Sequence, residues 1–128
     1  MKRDMDLLRE IMLKIETDHT WSELISPMIP GHEPMEVAYH CQLLYECGFV
    51  SSYHSHGGDD ELDTFFVGGL TWDGCEYLEQ VRDQSFYGKV KKTIRDKGLP
   101  LALETIKTVI STITESVTEG AIKAMTGQ

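Results

Sequence analysis

The chain has 128 residues, and a hydrophobic content of 41% is enough for one compact domain with an appendage. Its formal net charge of −9 is uneven, because residues 1–14 carry +1, residues 15–81 carry −13 and residues 82–128 carry +3. The middle stretch holds thirteen acidic residues and no lysine or arginine. Since Lys and Arg supply nearly all non-specific DNA affinity, this stretch argues against DNA binding and favours a basic protein partner.

The termini and the cysteines bear on the cellular compartment. The N-terminus lacks the apolar block of a signal peptide, and no stretch reaches the roughly 18 consecutive apolar residues of a membrane span. Cys41, Cys47 and Cys75 are an odd number without a C-x-x-C pair, and each stands in an apolar pattern. We interpret them as small core residues in a reducing compartment, and we expect a cytoplasmic protein without membrane contact.

The N-terminal part predicts one long helix followed by a broken segment. Asp4 is suited to cap a helix over residues 4–18, in which Leu8, Ile11, Met12 and Ile15 share one face. Prolines interrupt residues 20–31, at positions 27 and 30, so this segment is expected to be a short helix or a short strand.

A second helix and a hairpin are predicted next. Glu33-Pro34 suits the first turn of a helix, and Gly48 suits its end. The β-favouring runs 49–53 and 63–67 flank a polar, glycine-containing tip, which predicts a β-hairpin.

The remaining elements are predicted to be helical. Thr71 can cap a helix through Asp83, and Ser85 can cap another that ends near Gly98. The side chains predicted to point inward from the first of these helices are Trp72, Cys75, Leu78 and Val81. We place a domain over residues 1–98 and an amphipathic helix, a predicted oligomerisation segment, over residues 99–128.

Two resemblances support a fold for this order of elements. Residues 37–50, the hairpin and Leu70-Thr71 resemble the recognition helix, wing and exit of arsenical-repressor-type winged-helix regulators, over 35 residues. Met1 to Leu8, Tyr39-His40 before Leu43-Leu44, and Leu70 to Gly74 with Tyr77-Leu78 more closely resemble a family of short, uncharacterised bacterial and prophage proteins. The resemblance implies an α+β, mostly helical, winged-helix-like domain with a two-stranded wing and additional C-terminal helices, in a phage or mobile-element setting.

The winged-helix pattern departs from DNA binding at the residues that would carry it. The recognition helix and wing have no cation, and carboxylates surround Tyr39 and Gln42. We therefore predict a non-enzymatic protein whose acidic face contacts a basic protein surface and can block or mimic a nucleic-acid site. The predicted face comprises Glu33, Glu36, Tyr39, Glu46, Asp59, Asp60 and Glu61.

Metal and catalytic sites are not expected. His54 and His56 precede a group of acidic residues on the hairpin, and His32 or His40 can be added, but a solvated polar tip explains the pattern as well as a metal site does. His40 is instead expected to orient its helix through a hydrogen bond at the edge of the core. The sequence contains none of the familiar hydrolase, nucleotide-binding or zinc-protease motifs, so we predict no catalytic residue and no cofactor.

Two C-terminal features keep alternatives open. Lys89, Lys91, Lys92, Arg95 and Lys97 form a basic cluster that is a solvated face, a partner for the acidic wing of a neighbouring copy or, together with Lys2, Arg3 and Arg9, the DNA-binding surface of a transcriptional regulator. Beyond it, an apolar stripe either packs on its own domain or joins copies of the chain, and we predict a homo-oligomer. The stripe comprises Leu99, Leu103, Ile106, Ile110, Ile113 and Val117.

Overall fold

The structure is a computed structural model that describes residues 1–21, 23–58 and 61–126, with side chains described up to residue 115. Over these residues the chain forms five α-helices and one two-stranded antiparallel sheet, which confirms the α+β, mostly helical class. The elements are α1 (Met5–Asp18), α2 (Pro34–Glu46), β1 (Tyr53–His56), β2 (Thr64–Val67), α3 (Trp72–Val81), α4 (Gln84–Asp96) and α5 (Leu103–Thr126).

The chain divides into two compact units, Met1–Arg82 and Asp83–Gln128, which we call unit 1 and unit 2. The division falls between α3 and α4, whereas the sequence places it after Gly98. The difference arises because α4 packs against α5, so α4 belongs with the C-terminal helix rather than with the elements that precede it.

Helix α1 is the centre of unit 1. The Asp4 side chain accepts hydrogen bonds from the backbone N–H groups of Asp6 and Leu7, which confirms the predicted cap. The helix packs against α2 and α3. Its buried residues are Met5, Leu7, Leu8, Ile11, Met12 and Ile15.

The hairpin follows α2 and begins later than predicted. Tyr53 pairs with Val67 and His56 with Thr64, so β1 starts at the end of the predicted run 49–53. Phe49 and Val50 are buried before the strand begins, and Val50 forms an isolated bridge to Leu70. Ile25 forms a second isolated bridge to Val67, so the chain is extended rather than helical at this position.

Unit 2 consists of α4 and α5. Asp83, not Ser85, caps α4, since its carboxylate accepts a hydrogen bond from the Phe86 N–H at 2.7 Å. The buried residues of α4 are Tyr87, Val90 and Ile94.

The cysteines are not all core residues. Cys41 is buried in α2, and burial raises the pKa of its thiol to about 12. Cys47 and Cys75 are exposed, so their assignment to the core was wrong. Cys47 lies at the C-cap of α2 and Cys75 lies on the outer side of α3, where an apolar sequence context does not lead to burial.

Candidate interaction surface

The predicted acidic residues of α2 lie at both ends of the helix. Glu33 and Glu46 are exposed, and Glu36 is half-buried with its carboxylate 3.1 Å from the Nδ1 atom of His32. Tyr39 is half-buried because its ring packs edge-on against the His40 ring, with 5.4 Å between the centroids. The part of the acidic face on α2 therefore consists of two exposed ends separated by a partly covered tyrosine.

The hairpin part of the predicted acidic face is described only at some of its residues. Glu61 is exposed, whereas Asp59 and Asp60 lie outside the described residues. His54 and His56 are exposed in β1. Over the described part of the chain, no three His, Cys, Asp or Glu residues lie close enough together to hold a metal ion, and the prediction for the tip itself stays a prediction.

A tight connection joins the end of α2 to the start of α3. Gly48 follows α2 with a φ of +82°, and the Phe49 N–H donates to the Leu44 carbonyl at 2.8 Å. The Thr71 hydroxyl donates to the Gly48 carbonyl, and the Thr71 N–H donates to the Phe49 carbonyl at 3.0 Å. The two helix ends are thereby held next to each other, and we call this region the α2–α3 junction.

An aromatic pair supports the junction from inside. The rings of Phe49 and Tyr77 stack with their centroids 5.2 Å apart. Both side chains are buried, and the Tyr77 hydroxyl has no hydrogen-bond partner among the described residues. Burial raises the pKa of Tyr77 to about 12, so the phenol is neutral at physiological pH.

The outer side of the junction carries aromatic and acidic residues. Trp72 is 79% exposed and Tyr45 is 50% exposed. The inward placement of Trp72 was therefore wrong, as it was for Cys75. The exposed carboxylates of the junction are Glu46, Asp73 and Glu76.

The buried face of α3 is rotated from the predicted one, although Leu78 and Val81 are buried as predicted. The helix presents to the core the set Gly74, Tyr77, Leu78 and Val81, which has the i, i+3, i+4, i+7 spacing of one helical face. A glycine occupies the first of these positions because its α-carbon lies against the Phe49 carbonyl. The sequence contains the same spacing, but glycine gives no hydrophobic signal. Trp72 was therefore predicted to point inward instead.

His40 is buried between α1 and α2. Its Nε2 atom accepts a hydrogen bond from the Asp4 N–H at 2.9 Å, and its Nδ1 atom donates to the Glu36 carbonyl at 2.8 Å. The predicted orienting hydrogen bond is therefore confirmed, although His40 lies inside the core rather than at its edge. Because both nitrogens bond within the protein, this histidine has no lone pair left for a metal.

Arg9 does not belong to an exposed basic patch. Its guanidinium donates to the carbonyls of Val81 and Arg82, each at 2.7 Å, at the C-terminal end of α3. Lys2 and Arg3 are exposed before α1 begins. The predicted N-terminal contribution to DNA binding is thereby reduced to these two residues.

Arg82, the last residue of unit 1, forms ion pairs with two glutamates. Its guanidinium donates to both carboxylate oxygens of Glu16, at 2.5 and 2.6 Å, and to Glu79 at 2.7 Å. The hydrogen bond from Arg82 lowers the pKa of Glu16, and the same hydrogen bond is the main reason that the pKa of Arg82 is raised. Glu16 and Glu79 are exposed and Arg82 is half-buried, so the contact fixes geometry more than it adds stability.

The basic cluster lies on α4. Lys91 is half-buried, with its Nζ atom 5.1 Å from the centroid of the Tyr87 ring. The other four side chains are exposed and form no ion pair with the described residues: Lys89, Lys92, Arg95 and Lys97.

The apolar stripe is partly covered within one chain. Ile106 and Ile110 are buried where α5 packs against α4, and Val109 is buried beside them. Leu99 is exposed and precedes the helix, while Leu103 and Ile113 are half-buried. The Val117 side chain lies outside the described residues. Two residues of the stripe, Ile106 and Ile110, are thus buried already within one chain, and self-association stays a prediction.

The chain belongs to the protein family described as "Hypothetical protein (DUF2513)", whose sequence model matches residues 2–100. A relative from Haemophilus influenzae with the name "Uncharacterized protein" is 34% identical over 117 residues, which cover 88% of this chain and 95% of the relative. No solved structure matches the chain. These findings confirm the resemblance to a family of unknown function. None of the described helices is both long enough and apolar enough to cross a membrane.

Proposed function

We propose that the chain is a non-enzymatic interaction protein, and that unit 1 binds a basic surface of another protein. The observation that carries this proposal is the absence of lysine and arginine from residue 15 to residue 81, together with exposed carboxylates on α2, the hairpin and α3. A surface with this charge attracts cationic partners and repels nucleic acid.

The order of elements supports a winged-helix-like arrangement for unit 1. Helix α1, the Ile25 bridge, α2 and the β1–β2 hairpin occur in the same order as the first helix, first strand, recognition helix and wing of that fold, and the helix that precedes the recognition helix there has no counterpart among the described residues. In this interpretation α2 takes the place of the recognition helix. A DNA-reading helix needs cations for the phosphates, and Glu33, Glu36 and Glu46 occupy that helix instead.

An acidic α2 and hairpin suit a protein that occupies the nucleic-acid site of another factor. Such a site presents lysine and arginine at positions that fit phosphates, and carboxylates are the protein groups that pair with them. The phage or prophage setting stays an expectation from the resemblance.

The proposal is tested by affinity capture from a lysate of the organism that encodes the chain. Three baits are compared at low and moderate salt: the natural chain, the double variant Glu46→Lys with Glu61→Lys, and the control Glu104→Lys with Glu115→Lys in unit 2. We expect a protein partner that the natural chain and the control retain, and that the acidic-face variant retains about tenfold less. Equal capture by all three baits, or capture of DNA instead of protein, would contradict the proposal.

A second candidate function is nucleic-acid binding through α4. The observation that favours it is the group of four exposed cations without an ion pair among the described residues. A mobility-shift assay at low salt, with Lys92→Glu and Arg95→Glu as the variant, separates it from the first candidate. DNA binding that the variant loses would favour this function, and no binding at low salt would exclude it.

A further inference from the structure

The α2–α3 junction exposes two large aromatic side chains at adjacent helix ends. Trp72 is the first residue of α3 and follows the cap residue Thr71, whose hydroxyl and N–H hold the chain that leaves α2. Tyr45 lies in the last turn of α2, and the Gly48 N–H donates to its carbonyl at 3.0 Å. Exposed tryptophan and tyrosine are the residues that most often dominate the binding energy of protein interfaces.

The charged residues named at this junction are acidic. Glu46, Asp73 and Glu76 are exposed and form no ion pair with any described residue. The last turn of α2 contains no basic residue. The junction therefore offers aromatic faces and free carboxylates together.

This combination matches a guanidinium group. Arginine stacks on aromatic rings through its planar face and donates in a fork to carboxylates, whereas lysine is a strongly hydrated point charge with weaker stacking. We propose that the α2–α3 junction binds an arginine-bearing segment of a partner protein, with Trp72 as its central contact. The inference rests on the proposed function, because it names the chemistry of the partner and the part of the acidic unit that recognises it.

The centre of the proposed recognition site is the α2–α3 junction rather than the hairpin tip. The tip offers carboxylates, but the exposed aromatic side chain nearest to it in sequence among the described residues is Phe66, which lies opposite His54 in the hairpin. At the junction, the rigid Gly48–Phe49–Thr71 connection fixes both helix ends before a partner arrives. A preformed site loses little conformational entropy on binding.

The test uses dye-labelled peptides and fluorescence anisotropy. An arginine–serine peptide is compared with the matched lysine–serine and glutamate–serine peptides on the full chain, on Trp72→Ala and on Trp21→Ala. Trp21 is the matched control, because it is 97% exposed in the same unit but belongs to neither α2 nor α3. Unchanged far-UV circular dichroism and melting temperature establish that each variant is folded.

We expect the arginine peptide to bind more tightly than the lysine peptide, and Trp72→Ala to weaken it about tenfold while Trp21→Ala leaves it unchanged. Glu46→Gln should weaken it as well. If Trp72→Ala binds as tightly as the natural chain but Glu61→Lys does not, the junction inference is overturned and the proposed function stands.

Two further outcomes would also overturn the inference. One is equal affinity of the natural chain for the arginine and lysine peptides. The other is self-association of the natural chain, measured by sedimentation, that Trp72→Ala and Lys92→Glu each abolish, because the occupant would then be α4 of a second copy. Lysate capture decides the proposed function independently of either result.

Discussion

Two polar side chains inside unit 1, His40 and Arg9, satisfy backbone groups at helix ends. His40 accepts from the N–H of Asp4, the cap of α1, and donates to a carbonyl of α2. Arg9 leaves α1 to donate to two carbonyls at the end of α3. Because buried backbone groups are costly without partners, these two residues hold α1 in register with both of its neighbours.

Replacement of Arg9 by methionine should destabilise the chain by about 2 kcal/mol, because two charge-assisted hydrogen bonds at a helix C-terminus are lost while the aliphatic stem is kept. Urea unfolding followed by circular dichroism measures the change. The control is Arg3→Met, which removes an exposed cation of the N-terminal segment and should alter stability by less than about 0.5 kcal/mol. Equal effects of the two substitutions would show that the Arg9 hydrogen bonds do not matter.

At the scale of the elements, two helical glycines have opposite environments. A β-carbon on Gly74 of α3 would collide with the carbonyl oxygen of Phe49, whereas a β-carbon on Gly88 of α4 would meet open space. Gly74 is therefore required by the close approach of a helix to the α2–α3 junction, and Gly88 is not required by packing.

The alanine variants of these glycines should change stability in opposite directions. Gly74→Ala forces the backbone at the junction to shift and should cost about 2 kcal/mol or more. Gly88→Ala adds helix propensity at an open position and should stabilise by about 0.5 to 1 kcal/mol. Thermal unfolding of the two variants provides the comparison, and a stabilising Gly74→Ala would contradict the described contact with Phe49.

The elements that could be predicted from the sequence are those with local signals. The Asp4 cap, the proline at the start of α2 and Gly48 at its end all act within a few residues, and the structure has each of them. The orientation of α3 could not be predicted, because it depends on the contact of Gly74 with a residue far away in the sequence. The candidate junction depends on that orientation, so of its exposed aromatic and acidic residues only Glu46 was predicted from the sequence to lie on an interaction surface.

For the whole molecule, the charge follows the division into units. Unit 1 contains sixteen acidic and five basic residues, whereas unit 2 contains five acidic and seven basic residues. A chain with this distribution can attract a basic partner with one unit and an anionic partner with the other, and salt should weaken both interactions. The two candidate functions therefore concern different units.

The contacts of Arg82 affect how trypsin cleaves the protein. Trypsin cuts after lysine and arginine, and the first such residue after Lys14 is Arg82, whose guanidinium is bound to two glutamates and whose carbonyl accepts from Arg9. We expect native unit 1 to resist cleavage at this bond. After denaturation, cleavage after Lys14 and after Arg82 should release a single 68-residue acidic peptide, Ile15 to Arg82. A peptide of that length escapes routine mass-spectrometric identification. Trypsin-based proteomics would therefore detect this protein mainly through peptides from residues 1–14 and 83–128.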